Sequence, residues 1–178
     1  MIKKINLKIV TFFGIGYIKI APGTAASLVT TVILYLLFTY GFEGIGIYII
    51  YFLIFLFFYS LYAINSLKNH FKKDDPQEIV IDEVIGQSIP IVVLAYQIDM
   101  FNPDKVGTPF IWCIFYFLVF RLFDIVKIFP CNIIDKKMKN SLGIMLDDII
   151  AGIYSIIIPL VIYIVGSLFL ARLNVWIN

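Results

Sequence analysis

The chain has 178 residues, of which 61% are hydrophobic and 15% are charged, and its mean hydropathy is +0.97. Soluble domains are closer to half apolar and a quarter charged, so the composition excludes an ordinary soluble protein and indicates one membrane-embedded domain over residues 1–178, with about four or five transmembrane helices. The net charge of +2 gives no field that suits nucleic acid.

Five apolar runs follow one another along the chain and predict an all-α membrane helical bundle. They cover Leu28–Phe42, Ile45–Ile64, Val84–Phe101, Phe110–Phe129 and Ile149–Ala171. The third run contains Gln87, Pro90, Gln97 and Asp99, and the first is short unless it begins near Thr24, which looks like an N-cap. Four full spans plus one half-buried helix is therefore the alternative to five crossings.

Lysine and arginine are distributed unevenly between the two predicted sides of the membrane. With the N-terminus inside and five crossings, twelve of them fall on the inner side, and only Lys105 and Arg172 fall outside. Because cations near helix ends are retained on the cytoplasmic side, this pattern predicts a cytoplasmic N-terminus and an external C-terminus.

Ionisable residues next to the apolar runs form three clusters, at Asp82-Glu83, at Arg121, Asp124 and Lys127, and at Asp147-Asp148. A charge at the bilayer centre costs about 2.5–3.5 kcal/mol, so such residues are functional candidates. The predicted topology brings all three clusters to the inner face.

Each cluster also has a structural explanation. Either acidic pair could cap a helix N-terminus, since each opens an apolar run. Arg121 and Asp124 are spaced i, i+3 and could form an internal ion pair, and Lys127 could extend to the lipid headgroups. The convergence of the three clusters is what favours a site.

An acidic cluster beside arginine and lysine suits Mg²⁺ bound by carboxylates and by a substrate phosphate. Arginine gives phosphate bidentate hydrogen bonds, and lysine gives it a point charge. The residues therefore indicate metal-assisted phosphate-ester hydrolysis or phosphotransfer. A cation transporter whose carboxylates line a pathway is the alternative from another class.

Other phosphatase chemistries lack their residues. His70 is the only histidine and lies in a lysine-rich loop. Cys113 and Cys131 have no metal or disulfide spacing, and the glycine-rich cradle of a cysteine phosphatase does not follow Cys131. The Gly14-Ile-Gly16 segment is only a weak signal for a phosphate loop.

Small residues follow the acidic pairs by one helical turn. Gly86 lies four residues after Asp82, and Ala151 and Gly152 lie four residues after Asp147 and Asp148. This spacing predicts surfaces on which another helix can approach closely.

Four segments in this order resemble the phosphatidylglycerophosphatase A family: Pro22-Gly-Thr24, Ile79-Val-Ile-Asp-Glu-Val-Ile-Gly86, Phe120-Arg-Leu-Phe-Asp-Ile-Val-Lys127 with Pro130, and Gly143-Ile-Met-Leu-Asp-Asp-Ile-Ile-Ala-Gly152. The resemblance runs from about Gly14 to Gly152. It implies a Mg²⁺-dependent phosphatase of the inner membrane that converts phosphatidylglycerophosphate into phosphatidylglycerol and phosphate on the cytoplasmic side.

The resemblance also assigns roles to residues. It implies that five carboxylates bind the metal and act in catalysis: Asp82, Glu83, Asp124, Asp147 and Asp148. It implies that Arg121, Lys127 and Thr24 bind the phosphate. Three glycines, Gly23, Gly86 and Gly143, would shape the site. The chain departs from the family pattern at Ile128, where a proline is expected, and at Asn140-Ser141, where a glycine pair is expected. Asp135 could be a further ligand, but its place in the loop favours a solvated acidic side chain. Attack by water and an aspartyl-phosphate intermediate both stay open.

Overall fold

The structure is a computed structural model that describes residues 1–68, 70–71, 76–96, 108–138 and 140–177, without the side chains of residues 108, 135–137 and 170–177. The predicted features at Gln97, Asp99, Lys105 and Asp135 lie outside this description. The helices are α1 (Ile2–Val10), a 3₁₀ helix (Phe12–Tyr17), α2 (Pro22–Tyr40), α3 (Ile45–Ser66), α4 (Ile81–Tyr96), α5 (Thr108–Val126), α6 (Cys131–Lys137) and α7 (Ser141–Ile177).

The predicted all-α bundle is confirmed, and four of its described helices are long and apolar enough to cross a membrane. These are α2, α3, α5 and the part of α7 up to Phe169. The described part of α4 has 16 residues and is shorter than the roughly 20 that a full span needs. Residues 97–107, which follow α4, lie outside the described part of the chain, so five crossings and four spans with one half-buried helix both stay predictions.

Helix α4 is the centre of the bundle. Eleven of its 16 residues are buried, and it packs most extensively against α7, then α2, with α5 and α3 completing its surroundings. The outer helix α3 instead exposes aromatic side chains such as Tyr51, Phe55 and Phe58. Exposed aromatic and aliphatic surface of this kind is compatible with lipid, whose acyl chains are as apolar as the side chains themselves.

Two glycines allow α4 and α7 to cross at backbone contact, as their spacing predicts. A Cβ atom on Gly86 would lie 2.6 Å from the backbone oxygen of Asp148, and one on Gly152 would lie 2.5 Å from the backbone oxygen of Gly86. Real Cβ atoms do not approach that closely, so only glycine permits this crossing. The crossing brings the first turn of α4 alongside Asp148.

Helix α2 begins earlier than the apolar run predicts, at Pro22 rather than Leu28. The N-cap position is Ala21, so the prediction that Thr24 caps this helix is wrong: proline is favoured in the first helical position, and Thr24 follows within the first turn. Further along, the buried hydroxyls of Ser27, Thr30 and Thr31 donate to carbonyls four residues back. These bonds satisfy the hydroxyls inside the bundle.

Helix α1 packs on the end of α3 through a buried asparagine. The Asn6 amide nitrogen donates to the Ser66 hydroxyl at 2.7 Å, and the Tyr59 hydroxyl donates to the Asn6 amide oxygen at 2.8 Å. The backbone N–H of Val80 donates to the carbonyl of Val10 at 2.9 Å. The lysines of α1 therefore lie at the end of the bundle where α4 begins.

Helix α7 also begins earlier than predicted, at Ser141 rather than Ile149. The Asn140 side-chain oxygen accepts a hydrogen bond of 2.8 Å from the backbone N–H of Gly143, which is the geometry of an N-cap. The departure from the family pattern at Asn140 thus has a physical role, because it starts the helix that carries the aspartate pair.

Replacing Asn140 by alanine is expected to lower the free energy of unfolding by about 1 kcal/mol, since one free amide of α7 loses its partner. Thermal unfolding of the detergent-solubilised protein measures this effect. The matched control is Asn132→Ala, because Asn132 is exposed on α6. Equal unfolding temperatures for the two variants would contradict the capping role.

Candidate active site

Three carboxylates from two helices meet where α4 and α7 cross. Asp82 and Glu83 belong to the first turn of α4, and Asp148 lies on α7. Each offers an oxygen atom, and these atoms all lie within 4.8 Å of one another. Asp82 and Asp148 are buried, being 9% and 3% exposed. Carboxylates at this separation repel one another in a low-dielectric interior, so a bound cation would stabilise the group.

Two oxygen atoms of this group lack a partner. Asp82 Oδ1 and Glu83 Oε2 are buried and have no hydrogen-bond donor among the described residues. Leaving a buried acceptor unsatisfied costs about 1–3 kcal/mol, and more for a charged group. A hard divalent cation such as Mg²⁺ prefers oxygen ligands of this type, so the residues present fit a magnesium ion.

Helix α5 adds a fourth carboxylate and a cation. Asp124 interacts electrostatically with Glu83 and Asp148, and its side chain forms an ion pair with Arg121 one turn earlier. The internal i, i+3 pair considered from the sequence therefore exists. It is not isolated, because Arg121 also interacts with Glu83. The arginine thus lies at the edge of the acidic group, the name used below for Asp82, Glu83 and Asp148, and an anion could bind there.

The second cation, Lys127, is held by Asp147. Its Nζ atom lies 2.8 Å from Asp147 Oδ2, and its side chain is 32% exposed. This ion pair keeps the Lys127 side chain at the site. A lysine that only extended to the lipid headgroups would not need an ion pair with a carboxylate of the bundle. Asp147 therefore contacts a cation, while its neighbour Asp148 belongs to the acidic group.

The prediction that Asp147 and Asp148 open their helix is wrong. Helix α7 begins at Ser141, so both aspartates lie about two turns inside it, where backbone N–H groups already have intrahelical partners. Capping therefore cannot explain this acidic pair. For Asp82 and Glu83, which do lie in a first turn, the helix dipole adds to whatever else stabilises their charges.

The first turn of α2 closes one side of the site. A Cβ atom on Gly23 would collide with the carboxylate of Glu83, so a larger residue would displace this carboxylate from its position. Thr24 is half-buried in the same turn. At the start of α7, a Cβ atom on Gly143 would collide with the carbonyl of Met138. Both glycines, which the family resemblance marks as shaping residues, thus lie at close contacts.

The structure also describes the residues that other phosphatase mechanisms would need, and none of them is suited to catalysis. Cys131 is buried, and its thiol donates to the Asp147 carbonyl at 3.5 Å. Burial and the Asp147 carboxylate raise the pKa of this thiol, which opposes formation of the nucleophilic thiolate. His70 is exposed, as expected. Gly16 packs against the carbonyl of Glu78, so its role is to permit that contact.

Gln87 is a buried polar residue that the sequence does not assign to the site. It lies on α4 one turn after Glu83, and it is completely buried. Neither atom of its amide group has a hydrogen-bond partner within the described part of the chain. The signal in the sequence is a glutamine inside an apolar run, which by itself indicates only a weaker membrane span.

The arrangement suits one kind of ligand. Five carboxylates and two cations, from α4, α7, α5 and the residue directly after α5, surround a single region at one end of the bundle. Such a group can bind a divalent cation on its acidic side and phosphate oxygens between the metal and the basic side chains.

Comparisons with known proteins agree with this chemistry. Residues 8–163 match the family model for phosphatidylglycerophosphatase A. A Haemophilus influenzae protein of that name is 31% identical over 146 residues, covering 82% of this chain and 81% of the relative. An Escherichia coli protein of the same name is 27% identical over 143 residues, covering 80% and 74%.

A third relative carries a different name. A Bacteroides thetaiotaomicron protein named "Putative phosphatidylinositol-3-phosphatase" is 34% identical over 152 residues, which is 83% of this chain and 87% of that protein. No solved structure matches the chain. All three relatives are named as phosphatases of a phospholipid, and they share most of their length with this chain.

Proposed function

This chain belongs to the phosphatidylglycerophosphatase A family, and from that membership we propose that it hydrolyses phosphatidylglycerophosphate to phosphatidylglycerol and inorganic phosphate with the help of Mg²⁺. The observation that carries the proposal is the group of Asp82, Glu83 and Asp148, two of them buried and Glu83 half-buried, whose oxygens lie within 4.8 Å of one another. A bundle of membrane helices with a purely structural role has no need to bring three carboxylates together.

Each charged residue has a role in this proposal. Asp82, Glu83 and Asp148 hold the Mg²⁺, and Asp124 and Asp147 extend the acidic side of the site. Arg121 and Lys127 bind the phosphate monoester while Asp124 and Asp147 keep these cations in position. Thr24, in the turn beside Glu83, supplies a further hydrogen bond to phosphate. Mg²⁺, when bound, offsets the negative charge of the phosphoryl group and so makes phosphorus easier to attack.

The proposed reaction breaks the bond between phosphorus and the terminal glycerol oxygen. A new bond forms between phosphorus and the oxygen of water, either directly or after an aspartate oxygen has bonded to phosphorus and is then replaced by water. The proton that water gives up goes to the glycerol oxygen, and inorganic phosphate is released. Arg121 and Lys127 neutralise the charge that gathers on the phosphoryl oxygens.

We propose that the site faces the cytoplasm from the inner membrane, with the N-terminus on the same side. The lysines of α1 lie at the end of the bundle where α4 begins, which is also the end that carries the acidic group. Positively charged segments next to spans are retained in the cytoplasm, so this shared end supports the proposed orientation. Lipid substrate would then reach the site from the inner leaflet.

A phosphorylated phosphatidylinositol is a second candidate substrate. The relative from Bacteroides thetaiotaomicron is 34% identical to this chain, and its name refers to that lipid. Both candidates carry a phosphate monoester on a polyol headgroup of a phosphatidyl lipid. The acidic group acts on the phosphate monoester, which both lipids share. The substrate preference therefore depends on how the protein contacts the polyol, in which the two lipids differ.

Two other functions receive less support. A cation transporter would need charged groups along a path through the bilayer, whereas the carboxylates of this site gather where α4 and α7 cross. A phosphotransferase would need a site for a second, activated substrate, and the three relatives reported above are named as phosphatases.

The proposal is tested by measuring phosphate release from the two lipids in mixed micelles. We expect release from phosphatidylglycerophosphate that requires Mg²⁺, stops on chelation and returns when Mg²⁺ is added back. A higher kcat/KM for the phosphorylated phosphatidylinositol would assign the second candidate instead. A folded protein that releases phosphate from neither lipid with Mg²⁺ present would overturn the proposal, and ion flux in liposomes would then be measured.

A further inference from the structure

A cavity of about 620 Å³ lies beside the first turn of α2, and the proposed reaction does not use it. Its walls are the segment that precedes α2 and the stretch that precedes α4. Polar groups in the lining come from Tyr17, Lys19, His70, Gln77 and Glu78. The volume is within the range of small-molecule pockets and is far more than a single phosphate group requires.

The cavity and the acidic group share a wall. Pro22 lines the cavity, and the next residue, Gly23, is so close to Glu83 that a Cβ atom on it would collide with the carboxylate. Gly16 lines the opposite part of the cavity and packs against the carbonyl of Glu78. A ligand that extends past the first turn of α2 could therefore reach the cavity and the acidic group at once.

The lining has the mixed polarity that a polyol phosphodiester needs. Lys19 can neutralise the single negative charge of a phosphodiester, and His70 can donate a hydrogen bond to its oxygens. Glu78 and Gln77 can accept hydrogen bonds from hydroxyl groups.

Apolar side chains flank Lys19 in the sequence. Ile18, which lines the cavity, and Ile20 are both exposed. The first acidic residue of the chain is Glu43, so the 42 residues before it contain lysines but no aspartate or glutamate. An apolar and basic segment directly before a membrane span favours contact with an anionic lipid surface.

We infer that this cavity binds the polyol and the phosphodiester of the lipid substrate while the acidic group acts on the terminal phosphate. This subsite selects the headgroup, and the inference rests on the proposed lipid phosphatase function. Lys19 binds the phosphodiester, and Glu78 binds the hydroxyl groups that distinguish one polyol from another.

The test compares Lys19→Gln and Glu78→Gln with the native protein on phosphatidylglycerophosphate and on phosphorylated phosphatidylinositol. Lys19→Gln should raise KM for both lipids about five- to tenfold with kcat unchanged, because a charge-assisted contact is lost equally from bound substrate and transition state. Glu78→Gln should change the ratio of kcat/KM between the two lipids. The matched control is Lys68→Gln, since Lys68 is exposed at the end of α3 and does not line the cavity.

The outcomes distinguish a failure of the headgroup subsite from a failure of the phosphatase function. If the native protein hydrolyses lipid but both variants behave like Lys68→Gln, the headgroup subsite is wrong while the phosphatase function stands. A fall in kcat with unchanged KM would also overturn the subsite, because it would place these residues in the chemical step. If the native protein hydrolyses neither lipid, the function and the subsite both fall.

Discussion

Asp148→Asn is expected to lower kcat for phosphate release on the order of 10³-fold or more. Asp148 supplies one of the three oxygens that lie within 4.8 Å of one another, and it comes from a different helix than the other two. Asparagine keeps the shape of the side chain but removes its charge. The variant should therefore lose Mg²⁺ while the crossing of α4 and α7 is retained.

Stability measurements distinguish this loss from misfolding. The neutral amide would relieve repulsion among buried carboxylates, so without metal the variant should unfold at the same temperature as the native protein or higher. Mg²⁺ should raise the unfolding temperature of the native protein and not that of the variant. Asp147→Asn is the matched control, because Asp147 pairs with Lys127, and it should reduce kcat less. Retention of near-native activity in Asp148→Asn would remove Asp148 from the site.

Gly86→Ala is expected to destabilise the protein by several kcal/mol and to abolish its activity. The added Cβ atom would lie 2.6 Å from the backbone oxygen of Asp148 and 2.9 Å from the Phe120 ring. A backbone atom cannot move aside as a flexible side chain can, so α4 and α7 must separate. Overpacking a close contact typically costs about 1–3 kcal/mol, and a forced backbone shift adds to it.

The control for this experiment is Gly166→Ala on α7. A Cβ atom on Gly166 would meet no atom within 4 Å, so the substitution should leave folding intact and favour the helix slightly. The two variants are compared by their yield of monodisperse protein in detergent, their unfolding temperature and their phosphate release. An active Gly86→Ala variant with a native unfolding temperature would show that the helices do not cross as described.

Much of the architecture follows from residue type and spacing alone. Apolar runs of about 20 residues must be helical in a bilayer, because a backbone without water satisfies its own hydrogen bonds most simply in a helix. The cost of charge in lipid marks Asp82, Asp124 and Asp148 as candidates before any contact is known. The glycine at position 86 is likewise recognisable as a packing site, since it follows Asp82 by one turn.

Helix boundaries are harder to predict from the sequence, because an apolar run marks where the chain enters lipid and not where a helix begins. Helix α7 starts at Ser141, within a polar segment, because Asn140 caps it. That local hydrogen bond moves Asp147 and Asp148 from a helix start to a helix interior. Similarly, α2 starts at Pro22 and incorporates Thr24, which had the residue type of a cap but not the position.

The sequence by itself determined the helical membrane class and the set of charged residues, since both depend on the free energy of placing each residue type in lipid. Only the tertiary structure decided the partners: Arg121 with Asp124, Lys127 with Asp147, and Asp148 with Asp82 and Glu83. It also decided that Gln87 is buried and that Lys19 and Glu78 line one cavity. Such pairings depend on how helices distant in sequence cross, and a hydrophobic pattern carries no information about that angle or depth.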